Sequence, residues 1–109
     1  MTSEYDQLRK AKETAEGALR GDVPIMEAAR ILTSALIDTR LNRAEPTLLF
    51  NGVFSETDDL PIGRVRQNWA TDALREKDYL AADYRVRIRD QFLGACRQII
   101  GLIDEIISK

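Results

Sequence analysis

From Thr71 to Lys109 the chain contains no proline. Through that stretch Leu74, Ala81, Ile88, Ala95 and Leu102 interleave with Asp78, Arg85, Phe92, Ile99 and Ile106 in a heptad-like register. Apolar positions recurring at this spacing predict one long helix, or two joined nearly end to end. Its composition is split, with ten charged residues in the twenty from 72 to 91 and four in the eighteen from 92 to 109. The second half is therefore expected to be the better buried, and the first to project beyond the bundle or flank a groove. Gly94 and Gly101 fall seven apart on the buried half, where a helical glycine costs roughly 1 kcal/mol against alanine. Close approach of a neighbouring helix would offset that cost.

Two more helices precede it. Ser3 is placed to cap a first helix carrying Tyr5, Leu8, Lys12, Ala15 and Leu19 at alternating spacings of three and four, flanked by Ala11 and Ala18. That stripe is narrow and its residues small, so this helix is expected to pack on one partner. Gly21 stops it, Asp22 is an N-cap candidate, and Pro24 suits a first turn, where its missing N–H is not needed. The second helix then runs from about Val23 to about Leu41. Ile25, Ala28, Ala29, Leu32, Ala35 and Leu36 form one face, and Met26, Ile31 and Ile37 widen it, which predicts a central position. The expected fold is all-α: a single helical domain over residues 1–109, with two N-terminal helices, a structured loop or short helix, and one long C-terminal helix.

Two local signals compete with helix. Residues 84–89 alternate with period two, and Asn51-Gly52 between apolar pairs is a hairpin signature. Helical pattern on both sides argues against a strand at 84–89. A lone hairpin with arms of about three residues is marginal, so a short helix or compact loop is preferred at 48–54.

Composition narrows the chemistry. The 109 residues include no histidine, which removes Ser-His-Asp triads, Cys-His dyads and zinc sites with His ligands. The single cysteine, Cys96, excludes an internal disulfide and reads as a small core residue. Sixteen Lys and Arg against eighteen Asp and Glu give a net charge of -2, without the field of a general nucleic-acid or polybasic membrane binder. Arg85, Arg87 and Arg89 do not form one basic face on a helix, and Asp83 and Asp90 offset them. No signal peptide is evident and no apolar run reaches the roughly 18 residues of a membrane span, so the expectation is a soluble, cytoplasmic protein with no nucleic-acid or membrane partner.

The distinctive stretch is TLLFNGVFSETDDLPIGRVRQNW, residues 47–69. A connection this long in a small domain is functional or carries its own structure. Ser55 and Asp58 could form a capping arrangement. Arg64 and Arg66 follow the Pro61-Ile62-Gly63 turn, and Trp69 lies three residues after Arg66, where a guanidinium can rest on an indole. Arg40 and Arg43 close the preceding helix and could neutralise its end or pair with Glu56, Asp58 and Asp59. Alternatively Arg40, Arg43, Arg64, Arg66, Trp69, Glu56 and Asp58 form a surface for binding another protein, since Arg and Trp dominate interface energetics. A hard-cation site from Glu45, Glu56, Asp58 and Asp59 is the competing reading; its spacing matches neither an EF-hand loop nor a paired helical Glu motif.

Gly21 to Ala29 (GDVPIMEAA), Phe50, Ser55 to Trp69, Ala73-Leu74, Lys77-Asp78 and Ala95-Cys96-Arg97 together resemble a group of small bacterial proteins. Its members show Ser-Glu-Thr-Asp, Leu-Pro, Gly, Arg and Trp in that order, followed by a long helix ending in Ala-Cys. That group has no assigned reaction, so the resemblance implies no catalytic residue. The functional expectation is a non-enzymatic interaction module, immunity- or adaptor-like in size and character, needing no cofactor and acting on another protein. The charged half of the last helix and the apolar second helix also suggest a homodimer. The alternative is a carboxylate-Mg²⁺ hydrolase acting on a phosphorylated small molecule, with arginines on the phosphate.

Overall fold

The computed structural model describes residues 3–57 and 71–108. It contains four helices among them: α1 (Glu4–Arg20), α2 (Ile25–Leu36), α3 (Glu45–Thr57) and α4 (Thr71–Ile107). No strand occurs in the described residues, and the fold is the all-α bundle expected, with one continuous C-terminal helix. The helices form a ring. α1 and α3 each pack on both α2 and α4, while α2 and α4 touch lightly and lie across the bundle from one another.

α1 begins where the Ser3 hydroxyl accepts a hydrogen bond from the Asp6 N–H at 3.1 Å, with Glu4 and Asp6 in the first turn of the helix dipole. It ends at Gly21, whose φ of 83° is a left-handed conformation that suits glycine. There the Gly21 N–H reaches the Ala18 carbonyl and the Asp22 N–H the Gly17 carbonyl. The helix buries Leu8, Ala11, Thr14, Ala15, Gly17 and Ala18. These small side chains wrap two sides rather than one, so α1 serves two partners, contrary to the narrow-stripe expectation.

α2 is shorter than its apolar pattern predicts. Pro24 is its N-cap rather than part of its first turn, and no side chain caps it; Asp22 instead accepts from Arg20 Nε at 3.0 Å. At the other end Thr39 is buried. Its hydroxyl donates to the Leu36 carbonyl at 2.9 Å and accepts from the Leu41 N–H at 3.2 Å. That side-chain bonding competes with helix continuation, and tight turns follow, closed by Asn42 N–H to Thr39 O and Ala44 N–H to Leu41 O. Ile37 consequently lies beyond the helix and is 60% exposed. α2 occupies one corner of the ring and is not central.

The stretch read as a connection from residue 47 is helical up to Thr57. Pro46, Thr47, Phe50, Val53 and Thr57 bury one face at helical spacing, and Asn51-Gly52 sits inside the helix, not in a hairpin. Ser55, within the last turns of α3, caps no helix start; Asp58 is outside the described residues. The core is Leu8, Leu32, Leu36, Phe50, Val53, Phe92, Ile99 and Ile103, all buried, with the alanines of α1 and α2 between them. Phe50 and Phe92 meet with ring centroids 5.2 Å apart, tilted by 59°. Gly94 and Gly101 face no close neighbour: a Cβ at either would meet nothing within 4 Å. The helix approach invoked for them is absent.

Candidate functional site

α3 runs antiparallel to α4, which brings Glu56, near the end of one, beside Tyr84 on the other. The Tyr84 hydroxyl donates to Glu56 Oε2 at 2.5 Å. Burial, with the adjoining carboxylate second, pushes the phenol up to about 12, so it remains a hydrogen-bond donor at all ordinary pH. One turn on, the Arg87 guanidinium lies 5.8 Å from the Tyr84 ring centre. Arg87 Nε donates to Asp83 Oδ2 at 3.0 Å, an i, i+4 pair. Glu56, Tyr84, Arg87 and Asp83 thus form an exposed chain of alternating charge around one aromatic ring, at the point where residues 58–70 leave α3.

The sequence-predicted site residues do not converge as expected. Arg40, on the turns after α2, is held by Glu4 at the start of α1: its backbone N–H donates to Oε2 at 2.8 Å, and Nε and Nη2 donate to Oε1 at 3.1 and 2.7 Å. These hydrogen bonds keep the Glu4 carboxyl below its usual range and raise the Arg40 guanidinium. Arg40 therefore neither caps α2 nor pairs with Glu56. Arg43 is exposed on the same turns, and Glu56 belongs to the Tyr84 cluster. Arg64, Arg66, Trp69 and Asp58 lie outside the described residues. The i, i+4 spacing of Asp83 and Arg87 is legible in the sequence, whereas no sequence signal links Tyr84 to residue 56.

Cys96 is buried in the core, and desolvation pushes its thiol up to about 12. Thiolate chemistry is thereby suppressed. Among the described residues no group of three or more Cys, Asp or Glu is placed to hold a metal ion, and no helix is long and apolar enough to cross a membrane.

Among the described residues, open hollows on the bundle surface include three of note. One, of about 400 Å³, lies between the start of α3 and the last turns of α4, with Pro46, Gly101 and Leu102 flanked by Glu45, Arg97 and Glu105. A second, of about 280 Å³, runs along the α1–α2 turn, lined by Leu19, Arg20, Val23, Ile25, Arg89 and Leu93 among others. The third, of about 380 Å³, is formed by Ile25, Ala82, Val86 and Arg89. Comparison of the chain with protein-family models, curated proteins and solved structures finds no match.

Proposed function

We propose that the chain is a non-enzymatic protein-interaction module, immunity- or adaptor-like, whose helical bundle presents the end of α3 and the segment through Trp69 to another protein. The observation that supports this reading is the Glu56, Tyr84, Arg87 and Asp83 cluster. It fixes the end of α3 to α4 by an exposed side-chain hydrogen bond and leaves charged groups outward, next in the chain to a segment whose sequence carries Arg64, Arg66 and Trp69. A rigid helical support needs only shape and charge to cover a partner's surface, and Arg and Trp are the residue types that most often dominate such binding.

The test uses the partner captured from the native cell by the tagged chain. Replacing Arg64 and Arg66 together with Ala is expected to leave the melting temperature nearly unchanged and to abolish capture of that partner, because exposed Arg contributes little to folding but can dominate binding. A destabilised double variant that still captures the partner excludes the reading and assigns both arginines to holding the segment.

A further inference from the structure

Along the seam where α2 packs on α3, three polar side-chain atoms are closed off from solvent and have no hydrogen-bond partner among the described residues. They are Arg30 Nε, Thr33 Oγ1 and Asn51 Oδ1. Burying such groups unpaired is costly, and native proteins rarely do so. The turns at 37–44 bring the chain back, so the two helices run antiparallel. Their register is set by the Arg30 guanidinium, which lies 5.6 Å from the centre of the Phe54 ring. Thr33 follows Arg30 by one turn on α2, and Asn51 precedes Phe54 by one turn on α3, so Thr33 and Asn51 stand opposite each other and the four side chains make one cluster.

We infer that this cluster is an internal hydration site, in which a single water molecule joins α2 to α3. The chemistry of the three atoms selects that occupant. Arg30 Nε–H can only donate, Asn51 Oδ1 can only accept, and the Thr33 hydroxyl can do either. The occupant must therefore accept from the arginine and donate to the asparagine at the same time. An anion such as chloride cannot donate, and an ammonium or metal cation cannot accept. Closure of all three atoms from solvent excludes a larger organic ligand. Water meets the demand with three hydrogen bonds, the usual number for a buried one. The bridge also fixes the register of the helix pair, because a slip of one turn would set Thr33 against Leu48 or Phe54, whose side chains offer no partner. The site is independent of the interaction surface proposed above, since it lies between α2 and α3 and not on the α4 side of α3.

The test is magnetisation transfer from water to the Arg30 Nε–H of the ¹⁵N-labelled full chain in mildly acidic solution. A cross-peak with the sign of a water that tumbles with the protein is expected. Asn51→Leu should remove it, and Thr33→Val should keep it, which distinguishes a bound water from relay through the exchanging hydroxyl proton. Each variant should lower the urea midpoint, because each takes a bond from the network, and the double variant should lose less than the two losses added. Arg64→Ala with Arg66→Ala should leave the cross-peak in place. The proposal is overturned if the Arg30 Nε–H shows no such cross-peak, the result for side chains that pair directly, or if the cross-peak disappears with the Thr33 hydroxyl. A midpoint that is unchanged or raised in either single variant overturns it too, since that is the behaviour of polar atoms that hold nothing.

Discussion

Three helical glycines, Gly52, Gly94 and Gly101, border open space, while a Cβ on Gly17 would stand 2.8 Å from a Val23 methyl. The two situations have opposite consequences for the same substitution. At Gly94 and Gly101 alanine fills nothing and removes the conformational cost of glycine, so each Ala variant should gain up to about 1 kcal/mol in urea unfolding. At Gly17 the β-branched Val23 cannot swing aside freely, and Ala should destabilise. A loss of stability at Gly94 or Gly101 would show that those positions are packed after all. Side chains that terminate elements act at the same scale. The Thr39 hydroxyl serves both the Leu36 carbonyl and the Leu41 N–H outside regular helix, whereas Thr14 donates to the Lys10 carbonyl inside α1. Thr39→Val should therefore cost about 1–3 kcal/mol, the desolvation penalty of groups left unpaired. Thr14→Val should cost less, and equal losses for the two would contradict this account of how α2 ends.

Between elements, charged pairs reinforce the apolar contacts of the ring. Glu4 ties the start of α1 to the turns after α2 through Arg40, and Lys12 ties α1 to α4 through Asp104 at 2.6 Å, a bond that raises the Lys12 ammonium. Because the folded-state Glu4 carboxyl titrates below its unfolded value, its contribution is present above the unfolded value and is lost as pH falls through the folded one. Glu4→Gln should then lower the melting temperature modestly at pH 7 and leave it unchanged near pH 2; calorimetry showing the same difference at both would remove the pair from the stability account. How far the elements were legible follows from where their information resides. α1 and α4 carry their own boundary signals, Ser3, Gly21 and an unbroken proline-free register. The end of α2 does not, because Ile37 and Leu41 continue its apolar spacing while the hydroxyl of one threonine stops it. The helix at 45–57 overrides the local turn preference of Asn51-Gly52, since only helical spacing puts Phe50, Val53 and Thr57 on one buried face. Tyr84 and Glu56 meet only because α3 and α4 pack antiparallel, which no local pattern encodes. The charged and apolar halves of α4 were readable from composition alone.

For the whole molecule, burial is graded along α4. Phe92, Cys96, Ile99 and Ile103 are sealed in the core, whereas Ala82, Asp83 and Val86 face outward. Native-state hydrogen exchange should follow that gradient, with amides from Phe92 to Ile103 opening only by global unfolding and those from Ala82 to Val86 exchanging orders of magnitude faster. Uniform protection along the helix would mean that its outward half is held by contacts beyond this chain's core. The ring also closes between its first and last members, since α1 rests against α4 with Lys12 opposite Asp104. During synthesis α1 therefore leaves the ribosome long before the residues that wall it in. Leu8 and Ala11 have only part of their cover until the stretch around Ile99 and Ile103 emerges, so the bundle cannot close before that stretch has left the ribosome. The interval before it is when the nascent chain is most exposed to aggregation and to chaperone capture.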